Sequence, residues 1–222
     1  LLARILGSYI FTPGNKSIPG TIQYQAQIHT TRKDYEMALP KVAVVNGSLR
    51  KDSINKKLAL AVAKLAAGKL DLQLVDIADL PLYNQDLEAS FPAAATRVKG
   101  VIAGADAVLF VTPEHSRSIP AALKNVIDWV ARPYGQSNWV GKPGAIIGTS
   151  GGQVGTAIAQ DHLRSILVAQ GIALLGRPEV YFIYKEGVFD ADNNVTDPAA
   201  KQILQGFVDA FAGWVAQQTH HH

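Results

Sequence analysis

The chain has 222 residues, 48% hydrophobic and 18% charged, the balance of a globular α/β protein with one well-buried core. It has no cysteine, which excludes disulfides, thiolate metal sites, iron–sulfur clusters and a cysteine nucleophile, and fits a cytoplasmic location; no metal site is expected. Of the net charge of +3, residues 1–36 carry four bases against two acids and the remainder 17 against 16. That balance is not one of a nucleic-acid-binding protein, and no apolar run is long enough to span a membrane.

Met37 is the single methionine and precedes Ala-Leu-Pro and an apolar run, so residues 1–36 read as a leader or appended arm and 37–217 as one domain. A targeting peptide is the rival reading, favoured by Arg4, Arg32 and few acids, but a small-residue cleavage site is lacking. Residues 218–222 form a tail ending in His220, His221 and His222, the mark of a purification tag.

From Lys41 the chain alternates regularly. Val42 to Asn46 is a β-branched run, expected of a strand buried on both faces. Ser53 to Ala67 has helical periodicity, with Leu58, Ala61, Val62 and Leu65 on one side. A strand over Asp71 to Ile77 ends at the Leu80-Pro81 bend, and a helix over Ala93 to Ala103 leads to a strand over Ala107 to Val111. A helix spans Ile119 to Ala131, with Pro120 in the first turn, where proline is tolerated. Then come a strand over Lys142 to Thr149, a helix over Val154 to Gln170, a strand over Glu179 to Tyr184 and a helix over Ala199 to Gln217. Five strand–helix units predict a five-stranded parallel sheet with helices on both faces, a flavodoxin-like three-layer fold. Ligands of such sheets sit at the carboxyl ends of the strands, near the switch in strand order.

Three loops lie at those ends. The first, Gly47 to Asn55, offers Ser48, Arg50, Ser53 and Asn55 at the mouth of a helix, whose free N–H groups and dipole suit an anion. It has neither a dinucleotide fingerprint nor a triphosphate loop, so a terminal monophosphate is the better guest. The bland alternative is a Ser53 cap and a solvated Arg50. The second loop, Thr112 to Pro120, is polar and stiffened by two prolines; it could wall a flat heteroaromatic ring, or Glu114 and His115 could form an acid–base pair. The third, Thr149 to Thr156, has three glycines that let backbone approach a ligand, or is simply a flexible turn.

Gly47-Ser48-Leu49-Arg50 with Ser53 and Asn55, Pro113 to Pro120 with Leu123-Lys124-Asn125 and Asp128-Trp129, and Gly148 to Gly152 resemble, in that order, the NADPH-dependent FMN reductase family. Within it the likeness is greatest to bacterial chromate and quinone reductases, over about residues 40 to 185. The resemblance implies that Ser48, Arg50, Ser53 and Asn55 hold the FMN phosphate. It implies that Pro113, Glu114, His115 and Ser116 line the ring and ribityl chain, and that Ser150, Gly151 and Gly152 border the other side. Many relatives have Tyr-Asn where this chain has His115-Ser116. The family implies a homodimer or homotetramer, with Ala131 to Gly135 at subunit contacts and a partner completing the pocket.

The activity so implied is hydride transfer from NADPH or NADH through flavin to quinones, chromate or other small acceptors, with the cofactor supplying the chemistry. No general acid is assigned; His115 is the nearest candidate by type, and water could serve instead. Arg117 is expected either to guide anions such as chromate or the NADPH 2′-phosphate, or to pair with Glu114 and shape the loop. An electron-carrying flavodoxin is the alternative, though such carriers are acidic and this chain is not. A phosphoacceptor signalling domain would need carboxylates where strand one ends in Asn46-Gly47.

Overall fold

The inner strands are apolar along their centres, and their alternate side chains enter two separate cores. The computed structural model describes residues 38–219, so the expected leader and the closing histidines lie outside the described residues. Val42 and Val44 of β1 (Lys41–Asn46) join Leu109 of β3 (Ala107–Val111) and Ile147 of β4 (Pro143–Ser150) on one face. There they pack on α1 (Ile54–Leu65) and α5 (Pro198–Thr219), through Leu58, Val62, Phe207 and Phe211. Ala43, Val45, Val108, Phe110 and Ile146 point the other way. They meet α2 (Ala93–Ala103), α3 (Ala121–Val130) and α4 (Ala157–Ala169), with Trp139 fully buried among them. A period of two along the strand thus fills both outer layers.

The sheet is parallel throughout, ordered β2-β1-β3-β4-β5, where β2 is Asp71–Leu74 and β5 Ala173–Leu174. This is the flavodoxin-like order, with its switch point between β1 and β3. Six strands fill five positions. β5 pairs with Pro143 and Gly144 at the start of β4, and β6 (Tyr181–Ile183) with Gly148 to Ser150 at its end. The strand expected over Glu179 to Tyr184 is therefore only the second half of an interrupted edge. Its first half rests on tertiary contacts: Trp214 Nε1 donates to the Ala173 carbonyl at 2.8 Å.

Two boundaries move toward the site. α4 starts at Ala157 rather than Val154, because Gly155 takes φ +60° and Thr156 φ −124°, neither helical. β2 ends at Leu74 rather than Ile77; Val75 still donates to the Val44 carbonyl at 2.9 Å, after which the chain leaves the sheet. The closing helix continues to Thr219, two residues past the expected domain end. No described helix is long and apolar enough to cross a membrane.

Candidate functional site

The loop after β1 is shaped mostly by its own residues. The Asn46 amide donates to the Ser48 carbonyl at 3.1 Å and accepts from the Ser48 N–H at 3.3 Å, closing a tight turn. Gly47 sits against the start of α3: an added Cβ would lie 2.8 Å from Pro120 Cγ and 3.1 Å from Leu123 Cβ. Buried Ser53 is the N-cap of α1, its hydroxyl accepting from Lys56 N–H at 3.1 Å. Asn55 is buried too, and its amide clasps the Thr149 backbone on both sides, donating to the carbonyl at 2.9 Å and accepting from the N–H at 3.0 Å. Of the four side chains expected around a phosphate, Ser53 and Asn55 are thus engaged in building the loop. The Ser48 hydroxyl and the exposed Arg50 guanidinium bond to no other described residue, and the N–H groups of Ile54 and Asn55 have no acceptor among the described residues.

The loop after β3 is shaped from a distance. Pro113 is buried, and the Glu114 side chain, only 8% exposed, turns away along the sheet edge. One carboxylate oxygen of Glu114 accepts from the N–H groups of Ile158 and Ala159, both at 3.1 Å, at the start of α4. Thr156, the local N-cap of that helix, makes no side-chain cap bond, so Glu114 caps it instead. The other oxygen accepts from Arg117 at 3.0 Å, leaving the guanidinium 68% exposed. No hydrogen bond joins Glu114 to His115, so the two do not form an acid–base pair. His115 and Ser118 exchange both backbone hydrogen bonds at 2.9 Å, closing a two-residue hairpin. Its central residues, Ser116 and Arg117, have φ +50° and +62°, a left-handed conformation that costs a non-glycine residue about 1 kcal/mol or more. The Ser118 hydroxyl lies 3.1 Å from His162 Nδ1 on α4. The expected ring-lining residues accordingly present backbone outward: the N–H groups of Glu114 and Ser116 have no acceptor among the described residues.

The loop after β4 begins where packing is tightest. A Cβ on Gly148 would stand 2.1 Å from the Thr112 carbonyl oxygen and 2.4 Å from Thr156 Oγ1, so no other residue fits. Gly151 is the opposite case, with no atom within 4 Å of a built Cβ. Gly152 would meet only Ser150 Oγ, at 3.6 Å. The Ser150 hydroxyl donates to the Gly155 carbonyl at 2.6 Å and accepts from Gly152 N–H at 3.2 Å, folding the loop on itself. Thr149 is fully buried, yet its hydroxyl has no hydrogen-bond partner.

A fourth segment went unread in the sequence beyond its bend. Pro81 to Tyr83, following β2, is pinned to α3: Asn125 accepts from Tyr83 N–H at 2.8 Å, while Asn125 and Trp129 Nε1 both donate to the Pro81 carbonyl at 2.8 Å. Leu82 is thereby held 78% exposed. With Leu49, Ile77, Leu80 and Ala121 it lines a mainly apolar hollow of about 210 Å³ beside the first loop. Further along the chain, Glu88 accepts from the Tyr83 hydroxyl at 2.7 Å and from Arg132 at 2.6 Å; these partners, Tyr83 first, hold its carboxyl below the usual carboxylate range. The signal for this segment was the Asn125 and Trp129 pair, since Trp129 is fully buried and its indole N–H needed a partner. A second cavity, of about 400 Å³ between α2 and residues 133–138, contains none of the expected site residues.

A model of the NADPH-dependent FMN reductase family matches residues 40–186. The chain belongs to that family. A 2-hydroxy-1,4-benzoquinone reductase from a Burkholderia species is 52% identical over 179 residues, covering 81% of this chain and 97% of its own. A quinone reductase of Pseudomonas putida is 48% identical, over 78% of this chain and 94% of its own. Among solved structures, the FerB flavoenzyme NAD(P)H:(acceptor) oxidoreductase of Paracoccus denitrificans is 48% identical and superposes with a TM-score of 0.79, over 81% of this chain and 99% of its own. The family, the fold and the oxidoreductase class expected from the three loops are those of this protein.

The residues present fit the FMN of an FMN reductase. Ser48, Arg50 and the free N–H groups of α1 make a donor set for a dianionic monophosphate. The space over Gly151 and Gly152, which the protein's own packing leaves open, suits the close approach of a flat ring. The outward N–H groups of Glu114 and Ser116 suit the polar edge of that ring. The orphaned Thr149 hydroxyl marks the same corner as one where a buried donor awaits a partner.

Proposed function

We propose that this protein oxidises NADPH or NADH and reduces quinones, and small anionic oxidants such as chromate, through FMN held at the carboxyl ends of β1, β3 and β4, in a reducing compartment such as the cytoplasm. The observation that carries the reading is the convergence of three loops whose unpaired donors match a flavin monophosphate. Ser48, Arg50 and the α1 N-terminus bind the phosphate, while Ser53 and Asn55 keep those donors in place. Backbone groups of Pro113 to Ser116 orient the ring on one side, and Ser150 to Gly152 on the other. FMN held there would supply the hydride-transfer chemistry between nicotinamide and acceptor, leaving the protein to orient and desolvate the reactants.

The hollow beside Leu49 and Leu82 supports an apolar acceptor, being roomy enough for one small ring. His115 is exposed, and its ring is the nearest candidate by type for a proton donor to the acceptor. Arg117 holds most of its guanidinium in solvent and guides the anionic substrates. A partner subunit closes the pocket as a dimer or tetramer; Tyr134, in the segment expected at that contact, is 89% exposed.

Purified protein, heated and centrifuged, releases FMN into the supernatant, and the holoprotein oxidises NADPH or NADH on addition of benzoquinone. Release of FAD, or no flavin uptake on reconstitution, rejects the cofactor. A flavin-loaded protein that oxidises neither nicotinamide favours an electron carrier.

A further inference from the structure

Glu114 has been described as one residue of the ring-side loop, but its side chain does something that a loop residue facing a ligand cannot do. The carboxylate is almost wholly buried and is turned from the ring side toward α4, 44 and 45 residues further along the chain. One oxygen replaces the missing cap of that helix, and the other holds Arg117, one of two residues forced to positive φ at the hairpin tip. α4 in turn begins where the glycine-rich loop ends, at Thr156. The first turn of α4 also carries Gln160, which donates to the Val180 carbonyl at 2.9 Å beside β6.

We propose that Glu114 is the positioning residue of the flavin pocket: it locks the ring-side loop to the glycine loop, setting the width of the slot between them. The proposal rests on the flavin reading of this site and adds to it a role for a side chain that touches no flavin. Physically, the two loops follow neighbouring strands β3 and β4, whose carboxyl ends are held by the sheet as far as Thr112 and Ser150. Beyond them the sheet no longer sets the separation of the two loops. The Glu114 carboxylate, carried by the first loop and accepting from two amides where the second ends, limits that separation alongside the Ser118–His162 contact.

Reach, rather than charge, is what this role requires. Glu114→Gln keeps an oxygen for the α4 amides at the same distance, whereas Glu114→Asp keeps the charge but is one methylene short. In apo-protein, amide exchange at Ile158 and Ala159 is expected to quicken in Glu114→Asp and Glu114→Ala and to stay slow in Glu114→Gln. FMN dissociation constants, measured by flavin fluorescence quenching, are expected to rise at least tenfold in Glu114→Ala and Glu114→Asp and to stay within threefold of wild type in Glu114→Gln. The visible circular dichroism of bound flavin, which reports the ring's surroundings, changes in the same order. A folded Glu114→Ala protein with unaltered FMN affinity and dichroism overturns the proposal. So does the reverse order, with Asp tolerated and Gln not; should the alanine variant not fold, that Gln–Asp pair decides alone. Wild-type protein that takes up no FMN rejects the flavin reading, a result kept apart from the capping measured in apo-protein.

Discussion

The loops after β1 and β3 open at the same edge of the sheet, yet they are held by opposite means. The first is largely a local object: Asn46 closes on Ser48 two residues away, and Ser53 caps the helix that follows it. Its distant ties are the Gly47 N–H bond to the Val111 carbonyl at 2.9 Å and the Asn55 clasp on Thr149, 94 residues on. The second is strained locally, at Ser116 and Arg117, and is kept in shape by α4 through Glu114 and by the Ser118–His162 contact. A self-contained loop holds donors ready for an invariant group such as a phosphate. A loop braced from elsewhere is adjustable, because its geometry depends on a neighbour that can shift.

Removing the Asn55 clasp of the first loop is the strongest way to break this contrast. Asn55→Ala leaves both backbone groups of Thr149 buried and unpaired, with an expected loss of about 3 kcal/mol of stability. Urea denaturation of apo-protein measures it; a loss below about 0.5 kcal/mol, the scale of an ordinary surface change, would mean that the loop stands without its clasp. Arg50→Ala is the complementary test, since Arg50 has no structural duty among the described residues. FMN affinity should fall by about 1.5–3 kcal/mol for a lost charge-assisted phosphate contact, with apo stability unchanged.

The ring-side loop calls for smaller perturbations. Arg117→Ala should lower kcat/KM for NADPH by about 1 kcal/mol, and less for NADH and neutral quinones, as expected of a mostly exposed cation acting on an anionic substrate. Equal losses for charged and neutral substrates would assign Arg117 to loop shape alone. Ser116→Asn is the mildest change. Asparagine tolerates positive φ better than serine, so thermal stability should rise by about 0.5 kcal/mol while turnover is retained. A decrease would show that the turn carries no strain worth relieving.

Much of the fold was legible because its signals are local. Apolar runs such as Val42 to Val45, interrupted by helices with one apolar side, specify a parallel sheet with both faces covered, whatever the loops do. The order of the three loops was enough to name the family. The interrupted edge strand was not legible, since Ala173 and Leu174 are too few to carry a period and depend on Gly144 and Trp214 for their place. Nor was the start of α4, because its cap is not adjacent in the chain.

The division at the candidate site follows the same line. From the sequence alone came the placing of Ser48, Arg50, Ser53 and Asn55 at a helix mouth and of Gly151 and Gly152 at a strand end, since turn and cap chemistry acts between near neighbours. Only the tertiary structure decided which of those groups stay free and which are already bonded. A hydroxyl or carboxylate has no preference for a ligand over a backbone amide, and takes whichever partner the fold brings within 3 Å or so. Asn55 found Thr149, Glu114 found Ile158 and Ala159, and Ser48 and Arg50 were left facing the open edge of the sheet.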